Sequence, residues 1–354
     1  MSGADKPLLV LLGQVLPNRV AAFEALSREI PIEVVDLAND VPHGGGLVEL
    51  PASVPQTEAG LRDIPGLIRS GRYRAVMIET QGPLSFPLAG WVAHRAGVPL
   101  IVWMGLQHVP RTPRWRVGAV ALRRVLGWAD VVISYGSAHA ELARSLGAQR
   151  VISSIDPLDL AFWTEPVEVQ APEATEFLFA GRRELEKGPE VLVEAWLRSG
   201  LAAEGCRLRL VGGGGWSPSG GFPAGISVEE PQPREGMRQV YAAAAVLVVP
   251  SITTRTFKEP WGMVVGEAMC SGVAVIASDS VGAVSSGLAV DGETALIVPE
   301  GDPDALADAM KRLATDQALR SRLVESGQQR VREFDSDRWV RDMAEAIRRL
   351  EEAA

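Results

Sequence analysis

The sequence predicts an α/β chain made of two doubly wound parallel sheets in tandem. Short apolar runs alternate with longer amphipathic stretches, the pattern of buried parallel strands separated by covering helices. That rhythm runs to about residue 160 and then starts again. At 354 residues the chain also exceeds what one hydrophobic core usually supports, so two domains are expected. The expected bounds are 1–165 and 166–334, with a last helix over 335–354 packing back on the first domain.

In chain order, Leu8 to Leu12 is a buried strand, Gly13-Gln14 a turn, and Ala21 to Arg28 a helix. Ile32 to Val35, Ala75 to Ile78, Leu100 to Met104 and Val131 to Ser134 continue the strand series, and His43-Gly44-Gly45-Gly46 reads as a loop. The second series has strands at Phe177 to Ala180, Arg207 to Val211, Ser227-Val228, Val246 to Val249, Ala274 to Ala277 and Leu296 to Val298. Helices are expected over Pro189 to Arg198, Gly236 to Ala245 and Gly262 to Cys270. Asp302-Pro303-Asp304 opens another, with a capping oxygen, a proline at the first helical position and an acid in the first turn. Trp339, Met343, Ile347 and Leu350 share one face of the final helix, which suits packing.

Composition excludes several classes. A net charge of −9 argues against a general nucleic-acid binder. No apolar run reaches the roughly 18 residues of a membrane span, and Met1 to Pro7 lacks the pattern of a secretory leader. Cys206 and Cys270 have no metal-ligand spacing and read as buried thiols in a reducing cytoplasm. The histidines His43, His94, His108 and His139 are likewise not paired at metal spacing. Charge is uneven, however. Residues 1–165 hold 15 basic and 15 acidic side chains, so the remainder carries the whole −9. Thr80 to Ala129 has six arginines (95, 111, 114, 116, 123, 124) and no Asp, Glu or Lys. That stretch is either a solvated helix start or a surface for acceptor phosphates or anionic headgroups.

Two constellations point to chemistry. Glu259 lies in a polar loop and Glu267 on the second turn of the helix that follows. The carboxylates bracket a helix start, where backbone amides and the helix dipole favour anionic or hydroxyl-rich ligands. Sugars are ligands of that kind. Arg182 and Lys187 flank the loop between a strand and a helix, where two cations can converge on a diphosphate or form an ordinary exposed basic loop. The glycine run 212–215 lacks the dinucleotide fingerprint and reads as a tight strand-to-loop turn. Gly13 could bring backbone close to a ligand in the same way.

Phe179-Ala180-Gly181-Arg182 with Lys187-Gly188, Val248-Val249-Pro250-Ser251, Glu259-Pro260-Trp261-Gly262 with Glu267-Ala268-Met269, Ser271 to Asp279, and Gly301-Asp302 together resemble glycosyltransferase family 4. These are retaining enzymes of the GT-B fold, in which two Rossmann-like domains face each other across a cleft. The resemblance is nearly continuous over Thr175 to Thr315. It departs where Gly266 and Val273-Ala274 replace commoner residues and where no glutamate closely follows Gly282.

The resemblance implies a transfer of sugar from a nucleotide-diphosphate donor, UDP- or GDP-linked, to a glycan, lipid-linked or small-molecule acceptor, without a metal or other cofactor. Arg182 and Lys187 would hold the diphosphate, with Gly13, Gly181 and Gly213 close to the donor. Glu267 would take the ribose hydroxyls and Glu259 the sugar. The backbone of Trp261, Gly262, Met263 and Val264 would border sugar and phosphate, and Ser227 and Val228 the base. Arg19, His108 and Arg111 are expected on the acceptor side, with His108 also a catalytic candidate although it lies later after its strand than in many members. A cytoplasmic enzyme, with peripheral contact at the inner face of a membrane, is the expectation. An epimerase of the same fold and a non-catalytic nucleotide-sugar binder are the alternatives.

Overall fold

The computed structural model describes residues 6–37, 48–80, 82–168 and 174–352, without the side chain of Arg114. The glycine loop at His43 to Gly46 lies outside the described residues. The chain divides into two compact units, Met1–Asp159 with Phe334–Ala354 and Leu160–Glu333.

In the first unit, strands β1 (Leu8–Leu12), β2 (Ile32–Asp36), β3 (Gln56–Glu58), β4 (Ala75–Glu79), β5 (Leu100–Met104), β6 (Val131–Ser134) and β7 (Val151–Ser153) form a sheet. Among the described residues its order is β3-β2-β1-β4-β5-β6-β7, with every pair parallel. Helices α1 (Val20–Glu29), α2 (Ile64–Arg69), α3 (Ser85–Ala96), α4 (Pro113–Trp128) and α5 (Ser137–Ser145) connect the strands. β1, β4, β5 and β6 are buried throughout, as apolar runs covered on both faces must be. Hydrophobic pattern does not mark β3, because Gln56-Thr57-Glu58 is polar. Its place is fixed by Gln56, whose amide donates to Asp36 Oδ2 at 2.6 Å and accepts from the Leu50 N–H at 2.8 Å.

The second unit begins with α6 (Leu160–Thr164), so residues 160–165 belong with it and not with the first domain as expected. Phe162 and Trp163 explain this, since their rings pack against Arg234 and Tyr241. Strands β8 (Glu176–Ala180), β9 (Arg207–Val211), β10 (Ile226–Glu229), β11 (Val246–Val249), β12 (Ala274–Ser278) and β13 (Leu296–Val298) form an all-parallel sheet in the order β10-β9-β8-β11-β12-β13. Its helices are α7 (Pro189–Ser199), α8 (Arg234–Ala243), α9 (Met263–Cys270), α10 (Gly282–Ser285), α11 (Pro303–Thr315) and α12 (Gln317–Val331). Asp302 caps α11 by accepting from the amides of Asp304 and Ala305 at 3.0 Å each. The helix expected from Gly236 starts at Arg234 directly after Pro233, whose extended backbone serves as the cap. Both sheets carry the strand order of doubly wound nucleotide-binding folds, in which ligands sit beyond the carboxyl ends of the strands.

The last helix, α13 (Ser336–Glu351), belongs to the first unit. Its Trp339 is fully buried with ring centroids 5.7 Å from Phe23 on α1 and 5.2 Å from Trp103 on β5. The Ser154 hydroxyl donates to Asp342 at 2.5 Å.

The carboxyl ends of the first sheet hold a buried polar network centred on Arg19, which is 2% exposed. Its guanidinium donates to Glu79, at the end of β4, through two bonds of 2.9 and 2.7 Å, and to the Tyr135 hydroxyl at 2.8 Å. Asp156 lies 3.8 Å from Nε, and the guanidinium sits 4.3 Å from the Trp103 ring centroid. Burial works against the Arg19 charge, yet Glu79, Tyr135 and Asp156 together hold its pKa well above the ordinary value. Burial pushes the Asp156 carboxyl up to about 6, with Arg19 pulling the other way.

The expectation that Arg19 meets the acceptor is corrected here. A guanidinium occupied by a bidentate carboxylate and closed off from solvent positions α1 against the carboxyl ends of the central strands. Removing one member of such a pair strands the other charge, at a cost of about 3–5 kcal/mol. Arg19→Ala should therefore lower unfolding stability by that amount in urea titrations. A change within about 0.5 kcal/mol, typical of a surface position, would return Arg19 to the surface role.

Candidate functional site

The site in the second unit is assembled from three segments. The first follows β8 and runs through Gly181, Arg182 and a single 3-10 turn, Leu185–Lys187, into α7. Gly188 caps α7 with φ +69°, and a Cβ there would stand 2.0 Å from the Pro250 carbonyl oxygen. Only glycine lets the Lys187 turn lie directly on the segment after β11. The Ile252 N–H donates to the Glu186 carbonyl at 3.0 Å and fastens the same contact. Arg182 and Lys187 do not share a partner in this arrangement. Arg182 pairs with Glu184 at 2.5 Å and Glu186 at 3.7 Å and is nearly half exposed.

The second segment, from Ser251 to Gly262, carries Glu259. Its carboxylate is 7% exposed, accepts from the Lys187 ammonium, and accepts from the Ser251 hydroxyl at 3.1 Å. The Lys187 ammonium also lies 5.3 Å from the Phe257 ring centroid. Backbone bonds clasp this segment from the side of α10. Gly282 N–H donates to the Glu259 carbonyl at 3.1 Å and Ala283 N–H to that of Trp261 at 2.6 Å. A Cβ on Gly282 would lie 1.9 Å from the Pro260 carbonyl oxygen, so glycine is required for this approach as well. The hydroxyls of Ser278 and Ser280 both donate to the Ser251 carbonyl. Gly262, at φ +83°, then caps α9, whose first residues are Met263 and Val264.

The third element is α9 itself. Glu267 accepts from the Tyr241 hydroxyl at 2.7 Å. Burial pushes the Glu267 carboxyl up to about 7, against the Tyr241 hydrogen bond and the positive charge of Arg234, which both pull it down. Part of the residue still reaches solvent. Burial and the neighbouring carboxylate raise the Tyr241 phenol well above its usual range, so it stays a hydrogen-bond donor at neutral pH. Tyr241 rests edge-on against Trp163 at 5.7 Å, and Arg234 lies 3.8 Å from the centroid of Phe162.

Sequence reasoning missed Tyr241, Ser251 and Arg183. Arg183 donates to the carbonyls of Gly212 and Gly214, and its own N–H donates to Gly213 at 2.6 Å. The glycine run after β9 is thereby tied to the loop after β8, as a turn and without a helix start. Gly213 abuts the Pro231 ring at the end of the same region. Ser227 and Val228 are exposed on the edge strand β10, where Glu229 is held by Arg209 from β9 at 2.6 and 2.8 Å. The adjacent arginines Arg182-Arg183 were a visible signal. Tyr241 had none, because its partner is distant in sequence.

The remaining expected residues are in the first unit. Gly13 follows β1, and His108 is half-buried in the loop between β5 and α4. That loop leaves β5 at Gly105, against which the Tyr135 ring closes. Arg111 is exposed just before α4, whose cap Thr112 accepts from the Trp115 N–H at 3.4 Å. Among the described residues no group of three or more His, Cys, Asp or Glu side chains could hold a metal ion, and no helix is long and apolar enough to cross a membrane.

Comparison with known proteins agrees with this arrangement. Residues 174–316 match the family described as Glycosyl transferases group 1. A D-inositol 3-phosphate glycosyltransferase of Xylanimonas cellulosilytica is 30% identical over 95% of this chain and 89% of its own length. One from Corynebacterium glutamicum is 34% identical over 44% of this chain and 39% of its own. Among solved structures, Anabaena HepE in complex with UDP and glucose superposes with a TM-score of 0.69 at 16% identity, covering 96% of this chain and 99% of that one. Sucrose-phosphate synthase from Thermosynechococcus elongatus gives 0.72 at 19% identity, covering 99% and 100%. The chain belongs to the glycosyl transferases group 1 family and is a glycosyltransferase with the GT-B fold.

Proposed function

We propose that this glycosyltransferase moves a sugar from a UDP- or GDP-linked donor with retention of anomeric configuration and without a metal ion. The observation that supports the reading most is the contact between Lys187 and Glu259, fixed by backbone bonds on both sides. A cation for a diphosphate and a carboxylate for sugar hydroxyls then stand side by side. UDP bound in HepE supports a nucleotide-diphosphate donor, with Ser227 and Val228 along the base and Gly181 and Gly213 close to the donor.

In the reaction the acceptor oxygen attacks the anomeric carbon on the face from which the diphosphate leaves. The carbon–oxygen bond to the β-phosphate breaks, and a phosphate oxygen takes the acceptor proton. Lys187, Arg182 and the amides at the start of α9 stabilise the charge on the departing diphosphate. Exposed pairs such as Arg182 with Glu184 contribute under about 1 kcal/mol, so a dianionic ligand can displace the glutamate. No protein nucleophile is required, and Glu259 orients the sugar that moves. His108 and Arg111 would face the acceptor. The relatives' names, which specify D-inositol 3-phosphate, support an anionic hydroxylated acceptor. Glycan and lipid-linked acceptors carry the same hydroxyl chemistry. The two free, buried cysteines suit a cytoplasmic setting.

Glu267→Ala and Lys187→Ala should each lower donor turnover at least about tenfold, the scale of one charged contact. Wild-type turnover in both variants would sink the assignment.

Glu267 also sets a pH dependence. An ionised carboxylate accepts two ribose hydroxyls, so binding must release the proton that Glu267 holds below about 7. Donor affinity should rise through that value and be about tenfold weaker near pH 6 than near pH 8. In the free protein the sign is opposite. The folded state keeps a proton that the unfolded chain has lost, so stability falls as pH rises from about 4.5 to about 7. Calorimetric titration with UDP and GDP over this range reads the affinity, and Glu267→Gln should flatten it. A dependence that survives in Glu267→Gln would assign the proton to another group.

A further inference from the structure

The first unit carries an exposed feature unconnected with its buried network. α3 and α4 lie side by side and leave an open groove of about 470 Å³, lined by Pro87 and Trp91 on one bank and Arg116, Val117, Val120 and Arg124 on the other. The core side of α4 is supplied by Leu122, Val125 and Leu126, which are buried. Val117 and Val120 point away from that core and are 76% and 49% exposed. On α3, Leu84 precedes the first residue, and Leu84, Pro87 and Trp91 follow one helical stripe. Leu84 is 62% and Trp91 47% exposed. Single exposed apolar residues are ordinary, but a contiguous set around a groove marks a binding face.

The charge around this groove is of one sign. Arg95, Arg111, Arg116, Arg123 and Arg124 are exposed, and none has a carboxylate partner among the described residues. Arg19, Arg28, Arg72 and Arg74 of the same unit are each paired with a glutamate, while Arg62, Arg69, Arg144 and Arg150, which lie outside the groove, are in no ion pair among the described residues. From Thr80 to Ala129 there is no acidic residue, in a chain of net charge −9. An anionic surface is therefore repelled by most of the chain and attracted here.

We propose that the α3–α4 face docks on an anionic phospholipid bilayer. Trp91, Val117 and Leu84 enter the interfacial layer, while Arg116 and Arg124 reach phosphate headgroups with their stems along the groove walls. Apolar burial and headgroup attraction act on the same few residues, which is how amphipathic surfaces obtain reversible membrane affinity. The proposal stands apart from sugar transfer, because binding can be read without turnover.

The test is co-sedimentation of the full chain with extruded vesicles of phosphatidylcholine, alone or with about one third phosphatidylglycerol. Binding is expected only with phosphatidylglycerol and should weaken as salt rises. The double variant Arg116→Glu/Arg124→Glu should lose roughly tenfold or more in partition coefficient. Trp91→Ser/Val117→Ser should lose a comparable factor at low salt. These side chains are exposed, and circular dichroism verifies that each variant is folded. No pelleting with phosphatidylglycerol vesicles overturns the proposal, as does pelleting that either double variant leaves unchanged. So does a self-associated chain that Val117→Ser converts to a monomer without any vesicle binding.

Discussion

The Lys187–Glu259 contact is the interaction around which the second unit's site is organised. It brings a loop after β8 and a loop after β11 together, two segments separated by seventy-two residues. Its geometry is not left to two flexible side chains. Gly188 allows the lysine turn to lie on Pro250, while Gly282 and Ala283 hold the glutamate segment from the other side. A half-buried ion pair contributes little net stability, because desolvation offsets attraction. Its effect here is positional: each charge fixes the place of the other.

Much of this was legible in the sequence, and for definite reasons. The inner strands β1, β4, β5 and β6 of one sheet and β11 and β12 of the other are buried on both faces, so their runs stand out against the polar segments between them. Glu259 and Glu267 could be placed because glycine and proline punctuate the loop before α9. The β3 strand could not be read, since a polar edge strand has no hydrophobic signature and Gln56 fixes it through hydrogen bonds. Tyr241 was hidden because its role depends on packing between α8 and α9. Arg19 was expected on the acceptor side from the family resemblance alone, which carries no information about its burial. Its burial follows from Glu79, Tyr135 and Asp156, which only the sheet brings together.

The first unit uses arginine in two opposite ways. Arg19 is enclosed by carboxylates and a tryptophan ring and ties together the carboxyl ends of the central strands. Arg116, Arg123 and Arg124 of α4 are exposed, unpaired among the described residues, and interleaved with apolar side chains. The same residue type thus supplies rigidity in one place and an outward-facing field in another. Carboxylates separate the two: the fold brings Glu79 and Asp156 to Arg19, whereas α4 lies in the stretch Thr80 to Ala129, which has no acidic residue.

The proposed division of labour gives Lys187 the diphosphate and Glu259 the sugar. The most direct measurement compares the affinity of Glu259→Gln for a nucleoside diphosphate with its affinity for the matching nucleotide sugar. Removing the carboxylate charge frees Lys187 from its competitor. Diphosphate affinity should therefore be kept or rise, while nucleotide-sugar affinity should fall about tenfold, the scale of one charged hydrogen bond. Equal losses for both ligands, or no loss for either, would contradict it.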